Sequence, residues 1–205
     1  KVSSKVIYFK SIDRQSLNIK KKIKFDLKNI ISKRNTFNEV KIMGILNITP
    51  DSFSDGGKYN KSHKAFEQIK KMINSGAHVI DVGGESTRPG SKTILPSQEW
   101  KRISNVITKF KKKYPKIMLS VDTRKSEIMK QAIKNKADII NDVSSFSHDK
   151  NSLKEIKNYN VWKVIHHMQG TPQTMQKRPK YKNVLLDIYD FFEKKIKNEM
   201  KKTNY

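Results

Sequence analysis

Short apolar runs alternate along this chain with longer stretches whose apolar residues recur every three or four positions. The runs fall at residues 40–46, 77–82, 117–121, 137–141 and 161–166. Each is brief and mostly apolar, the pattern of a strand covered on both faces. Helical patterns fill the gaps. Ser62 is placed to cap a helix carrying Ala65, Phe66, Ile69, Met72 and Ile73, and Gly76 to stop it. Pro96 and Ser97 open a second helix with Trp100, Ile103, Ile107 and Phe110 on one face, closed before Pro115. A third spans 125–135 through Ile128, Met129, Ala132 and Ile133, and a shorter fourth lies near 152–159. Val184, Leu185, Ile188, Phe191, Phe192 and Ile196 stripe a long basic helix after them. All these stripes predict core-facing surfaces.

Strand–helix alternation at this pitch predicts a parallel sheet. An open doubly wound sheet and a (β/α)8 barrel both fit locally. No Gly-x-Gly-x-x-Gly follows any strand, which disfavours a dinucleotide fold. Residues 1–39 form a basic N-terminal extension, readable as a β-hairpin through 6–9 and 23–27, and 40–205 read as one domain without a linker.

Charge changes this picture only at first sight. A net charge of +25 invites a nucleic-acid reading, but of 44 basic residues only Arg14, Arg34, Arg88, Arg102, Arg124 and Arg178 are arginine. Arginine is the better base reader and phosphate fork. The lysines are scattered among many isoleucines and asparagines, which reads as codon usage in an AT-rich genome and solvated surfaces. No specific nucleic-acid partner is expected, only weak polyanion binding that fades with salt. Cysteine is absent, which excludes disulfides and thiolate metal sites. No apolar run approaches the roughly 20 residues of a membrane span, and residues 1–10 lack a secretory pattern. No membrane partner and a cytoplasmic location are the expectation.

The chemistry gathers where the strands end. The first strand runs into Asn47-Ile48-Thr49-Pro50-Asp51-Ser52-Phe53-Ser54-Asp55-Gly56-Gly57, about twice the usual length of a βα turn. The second leads to Gly83-Gly84-Glu85-Ser86-Thr87-Arg88-Pro89-Gly90, where paired glycines admit a close ligand and Arg88, held extended before proline, can fork a phosphate. The third ends at Asp122-Thr123, the fourth at Asn141-Asp142, and the fifth runs into His166-His167-Met168-Gln169-Gly170. Singly, Asp122 or Asn141 is as well explained as a helix cap, and Met168 as packing. Adjacent histidines lack the spacing of two metal ligands on one helix face. Together these residues converge on one rim, the ligand-binding edge of α/β folds. A carboxylate at Asp122 and an amide at Asn141 suit a flat heterocycle with ring nitrogens and an amino group. Met168, with Val121 or Ile139, would supply apolar walls.

The segments GILNITPDSFSDGG, IDVGGESTRPGS, SVDT, IINDVSS and HMQGTPQTMQ, in this order and spacing, resemble the dihydropteroate synthases of bacterial type over about residues 41–181. Pterin-binding methyltransferases share the barrel and the aspartate and asparagine hooks, but generally not the long first loop. The resemblance implies a (β/α)8 TIM barrel. It implies condensation of 4-aminobenzoate with dihydropterin-hydroxymethyl diphosphate in folate biosynthesis, with Mg2+ as cofactor and sulfonamides as inhibitors. Asn47 would serve the magnesium–diphosphate site, and Thr87 and Arg88 would face the diphosphate. Asp122 and Asn141 would hydrogen-bond the pterin and Met168 would pack on it. Asp51, Phe53, Asp55 and Pro89 would close over the site and place the aminobenzoate. Asn47, Asp55, Arg88 and Asp122 carry the catalytic roles in this reading, and a homodimer is implied at full length.

Only five strand–helix units are visible, an incomplete barrel. A Ser-Arg-Lys and an Arg-x-His motif that the family carries in later strands do not occur in these 205 residues. The expectation is therefore a fragment or the ordered part of a longer chain, poorly folded and inactive alone. A pterin-binding remnant without catalysis and a basic nucleic-acid-binding protein are the competing classes.

Overall fold

Strands form at all five apolar runs: β1 (Met43–Asn47), β2 (Val79–Gly83), β3 (Met118–Asp122), β4 (Ile139–Asp142) and β5 (Trp162–Ile165). Between and after them lie α1 (Lys58–Asn74), α2 (Pro96–Lys113), α3 (Ser126–Lys134), α4 (Ser152–Ile156) and α5 (Val184–Lys195). This computed structural model describes residues 21, 40–49, 58–86, 93–171, 174–175 and 178–197, with backbone alone at 58–61. The hairpin expected within 1–39 lies outside the described residues.

Local signals explain most boundaries. Pro96 opens α2, where a missing N–H costs nothing, and Gly76 leaves α1 with a φ of +96°, a conformation that favours glycine. Asn183 caps α5 by accepting from the Leu186 N–H at 3.2 Å. The α3 amino end takes its cap from a distant residue: the Ser126 N–H donates to Asp149 Oδ2 at 2.9 Å. Ser62 is not a cap. It lies one turn inside α1, since no glycine or proline separates it from Lys58.

The strands are all parallel and hydrogen-bonded in the order β1-β2-β3-β4-β5. A doubly wound sheet must reverse its strand order at a switch point; this one never does, so its helices stay on one side. Two glycines mark that side. A Cβ on Gly44 would sit 2.7 Å from Met72 Sδ of α1, and one on Gly84 2.8 Å from Ile103 Cγ2 of α2. Strand residues of the same parity (Leu46, Ile80, Val82, Leu119, Val121 and Ile140) form the core with Ile69, Ile103, Phe110, Ile128 and Met129 of the helices. On the opposite face Met43, Ile45 and Trp162 are 39%, 65% and 52% exposed. The architecture is five consecutive βα units of a (β/α)8 barrel, and that second face is the barrel's inner one.

Candidate active site

Register builds the site. Asn47 pairs with Gly83, Gly83 with Asp122, and Asp122 with Asn141, so one row crosses four strands at their carboxyl ends. One step nearer the amino ends, Ile45, Asp81, Ser120 and Ile139 make a second row on the same face, because side chains alternate with a period of two. Gly83 is the gap in the upper row. A Cβ there would stand 3.2 Å from Asn47 Oδ1 and 3.5 Å from Asp122 Oδ2. Asn47, Asp122 and Asn141 are thus brought together as expected, around a bare patch of backbone. Ile139 lies below them as an apolar wall. Val121 does not: its odd position in β3 turns it into the helix-facing core, fully buried.

Three aspartates crowd this end of the sheet. Burial pushes the Asp122 carboxyl up to about 7, helped by repulsion from Asp81, Asp142 and Glu99 and opposed by Arg124. Burial also raises Asp81, against the Ser120 hydroxyl, the Asn141 amide and nearby His166. Asp142 is raised by burial too, against hydrogen bonds from Ser144 and Phe146. Its carboxylate has left the rim. It accepts from the Ser144 N–H and hydroxyl, both at 2.7 Å, and from the Phe146 N–H at 2.9 Å. That turn holds Ser145 and Phe146 at φ of 54° and 62°.

The two histidines separate. His166 Nε2 lies 2.6 Å from Asn141 Oδ1, while Asn141 Nδ2 donates to Asp81 Oδ2 at 3.2 Å. His167 instead meets the Tyr181 hydroxyl at 3.2 Å and the edge of Phe191 at 4.7 Å, fastening the segment after β5 to α5. Met168 is half-buried two residues beyond His166.

A buried ionic group behind the rim is absent from the sequence reading. Arg124 donates to Glu85 Oε2 from Nη2 at 2.8 Å and from Nε at 3.2 Å. Lys125 reaches Glu85 Oε1 at 3.2 Å and also pairs with Glu99. Glu85 further accepts from the Ile94 N–H at 3.1 Å, and Arg102 holds the Gly84 carbonyl at 2.8 Å. Burial opposes the Glu85 charge, but Arg124, Ile94 and Lys125 together hold its carboxyl below the ordinary range. All four charged residues are at most 6% exposed. One signal could have found them: Glu99 occupies the apolar stripe of α2, one turn before Ile103.

Asp51, Phe53, Asp55, Thr87, Arg88 and Pro89 lie outside the described residues. Among the described residues no three His, Asp or Glu side chains gather as a metal site. The amide oxygen of Asn47 beside the Gly83 gap is nonetheless a hard oxygen donor of the kind magnesium prefers, an ion that keeps water and phosphate for its other positions. No helix among the described residues is long and apolar enough to cross a membrane.

Sequential parallel strands with an amide–carboxylate rim at their carboxyl ends define a barrel-type protein whose ligand-facing edge is that rim. Comparison makes this specific: residues 43–202 match the family model of pterin binding enzymes, and the chain belongs to that family. It is 41% identical over 155 residues to the dihydropteroate synthase of Escherichia coli K12, covering 76% of this chain and 54% of that protein. With the Bacillus subtilis enzyme identity is 45% over 126 residues, 62% of this chain and 44% of that one. A solved Yersinia pestis dihydropteroate synthase in complex with a sulfonamide drug superposes with a TM-score of 0.72 at 35% identity, over 82% of this chain and 61% of that one. The chain spans about half the length of the curated relatives it matches.

Proposed function

We propose that the protein is a dihydropteroate synthase of folate biosynthesis. It would transfer a dihydropterin-methyl group from the hydroxymethyl diphosphate to 4-aminobenzoate. The observation that carries this reading is the Asn47–Gly83–Asp122–Asn141 row, set at the carboxyl edge of a chain that belongs to the pterin binding enzymes. Solved relatives support the ligand classes: the Xanthomonas albilineans synthase is bound to 4-aminobenzoic acid and that of Burkholderia cenocepacia to 7,8-dihydropteroate.

In this reading Asp122 and Asn141 hold the pterin by its hydrogen-bonding edge, over Ile139 and against Met168. Asn47, at the Gly83 gap, would hold Mg2+, which neutralises charge on the departing diphosphate. Thr87 and Arg88 face the same diphosphate and stabilise the charge it gains as the carbon–oxygen bond breaks. The arylamine nitrogen then attacks the exocyclic carbon and loses a proton. Asp51, Phe53, Asp55 and Pro89 close over the cation-like carbon and keep water from capturing it. No covalent enzyme nucleophile is needed. The protein would work in the cytoplasm as a homodimer, its pterin-binding domain beginning near residue 40, and sulfonamides would compete with 4-aminobenzoate.

The test is dihydropteroate formation by the full-length protein from the two substrates. Magnesium-dependent product, lost in Asp122→Ala, supports the proposal. Pterin binding without turnover would make the protein a binding remnant, and methyl transfer from a methylated pterin would move it to the methyltransferases.

A further inference from the structure

His166 belongs to none of the roles assigned above, yet its ring lies against the pterin hook. As a carboxylate Asp81 has no donor, and it accepts from Asn141 Nδ2 at 3.2 Å. That bond fixes which end of the Asn141 amide is nitrogen, an orientation that a lone asparagine leaves open. Oδ1 is therefore the atom turned to His166 Nε2, 2.6 Å away. Two facing acceptors would repel, so Nε2 must carry the proton.

The His166 main chain is clamped as well. Its N–H donates to Ser145 Oγ at 2.8 Å, and the same hydroxyl donates back to its carbonyl. Ser145 is held in a left-handed turn locked by Asp142. A chain of contacts thus runs from the turn after β4 through His166 to Asn141 and ends on Asp81. With both ends engaged, Asn141 keeps one N–H and one lone pair for a ligand, in fixed places.

We propose that His166 and Asp81 are positioning residues that lock the Asn141 amide in one orientation, so that it presents a fixed donor–acceptor pair to the pterin ring. The proposal rests on the pterin reading of the site. A site that must present polar groups at defined angles needs such supporting hydrogen bonds, since a swivelling amide spends half its time with the wrong atom forward.

The experiment has two arms, on the full-length protein. The first needs no ligand: 15N-edited NMR of the imidazole should show His166 as the Nε2–H tautomer. The Nδ1–H tautomer would overturn the proposal. The second titrates pterin itself by fluorescence. His166→Met keeps bulk but loses the donor and should weaken binding about tenfold, the value of one hydrogen bond. His166→Gln, which can present an N–H at a similar reach, should restore it to within about threefold. The Michaelis constant for 4-aminobenzoate should stay within twofold in both variants, which general damage to the fold would not allow. Unchanged pterin affinity in His166→Met would overturn the locking role and leave the proposed function standing. Failure of the unaltered protein to bind pterin would overturn that function and this proposal together.

Discussion

Replacing Gly83 by alanine would place a methyl group 3.2 Å from Asn47 Oδ1 and 3.5 Å from the Asp122 carboxylate. Both can give a little, so stability should change by less than about 1 kcal/mol. The bare floor between the amide and the carboxylate would be gone, and the Michaelis constant for the pterin diphosphate should rise about tenfold in steady-state assays. Asp122 offers a second test at the same scale. Its carboxyl titrates near 7 in the fold against 3.8 unfolded, so the folded state prefers the protonated form. As pH rises from about 4 to 7, the unfolded chain ionises while the fold resists, and stability falls; above 7 this contribution is flat. Asp122→Asn should remove its share of the slope, leaving that of the raised Asp81 and Asp142, and bring the unfolding free energies from urea titrations at pH 5 and 7.5 closer by on the order of 2 kcal/mol. Pterin affinity in the parent should also improve from pH 6 to 8 as the acceptor ionises. A flat profile would place the hydrogen-bond edge elsewhere.

At the scale of elements, the rim is tied to its supports by the Glu85–Arg124–Lys125–Glu99 group. Lys125→Met would leave Glu99, fully buried, without its cation and should cost about 3–5 kcal/mol in chemical denaturation. Pairing it with Glu99→Leu should return much of that loss, since two apolar side chains need no desolvation. Gly84→Ala should cost about 1–3 kcal/mol, because α2 offers only 2.8 Å to the new methyl group. Strands and helices were legible in the chain because their periods of 2 and 3.6 are carried by residues such as Ile80, Val82, Ile103 and Ile107. The rim residues Asn47, Asp122 and Asn141 were legible because polar groups follow apolar runs at strand ends. Side-chain parity was not. A one-residue step decides that Val121 faces the helices while Asp122 faces the ligand, and no composition signal marks the step. Buried charges escaped for a related reason: Lys125 and Arg124 look like every other cation in a chain of net charge +25, until three-dimensional proximity supplies Glu85 and Glu99.

The molecule as a whole shows an asymmetric distribution of apolar surface. The helix-facing side of the sheet is sealed, whereas Met43, Ile45 and Trp162 lie open on the inner face, and β1 and β5 are edge strands among the described residues. Exposed parallel edges beside apolar side chains favour self-association. The protein should therefore scatter light increasingly with concentration, and Ile45→Lys should reduce this. Its surface lysines should give polyanion binding that weakens steeply between 50 and 200 mM salt, on the order of a hundredfold.

The unbroken strand order has a kinetic meaning too. Among the described strands each one after β1 pairs with the strand made just before it, so none of these four pairings waits for a distant partner during synthesis. β2 can dock on β1 while α2 is still being made, and every later unit adds to a template already in place. The sheet grows in the direction of synthesis, and Asn141 reaches Asp122 only after the three strands before its own are set.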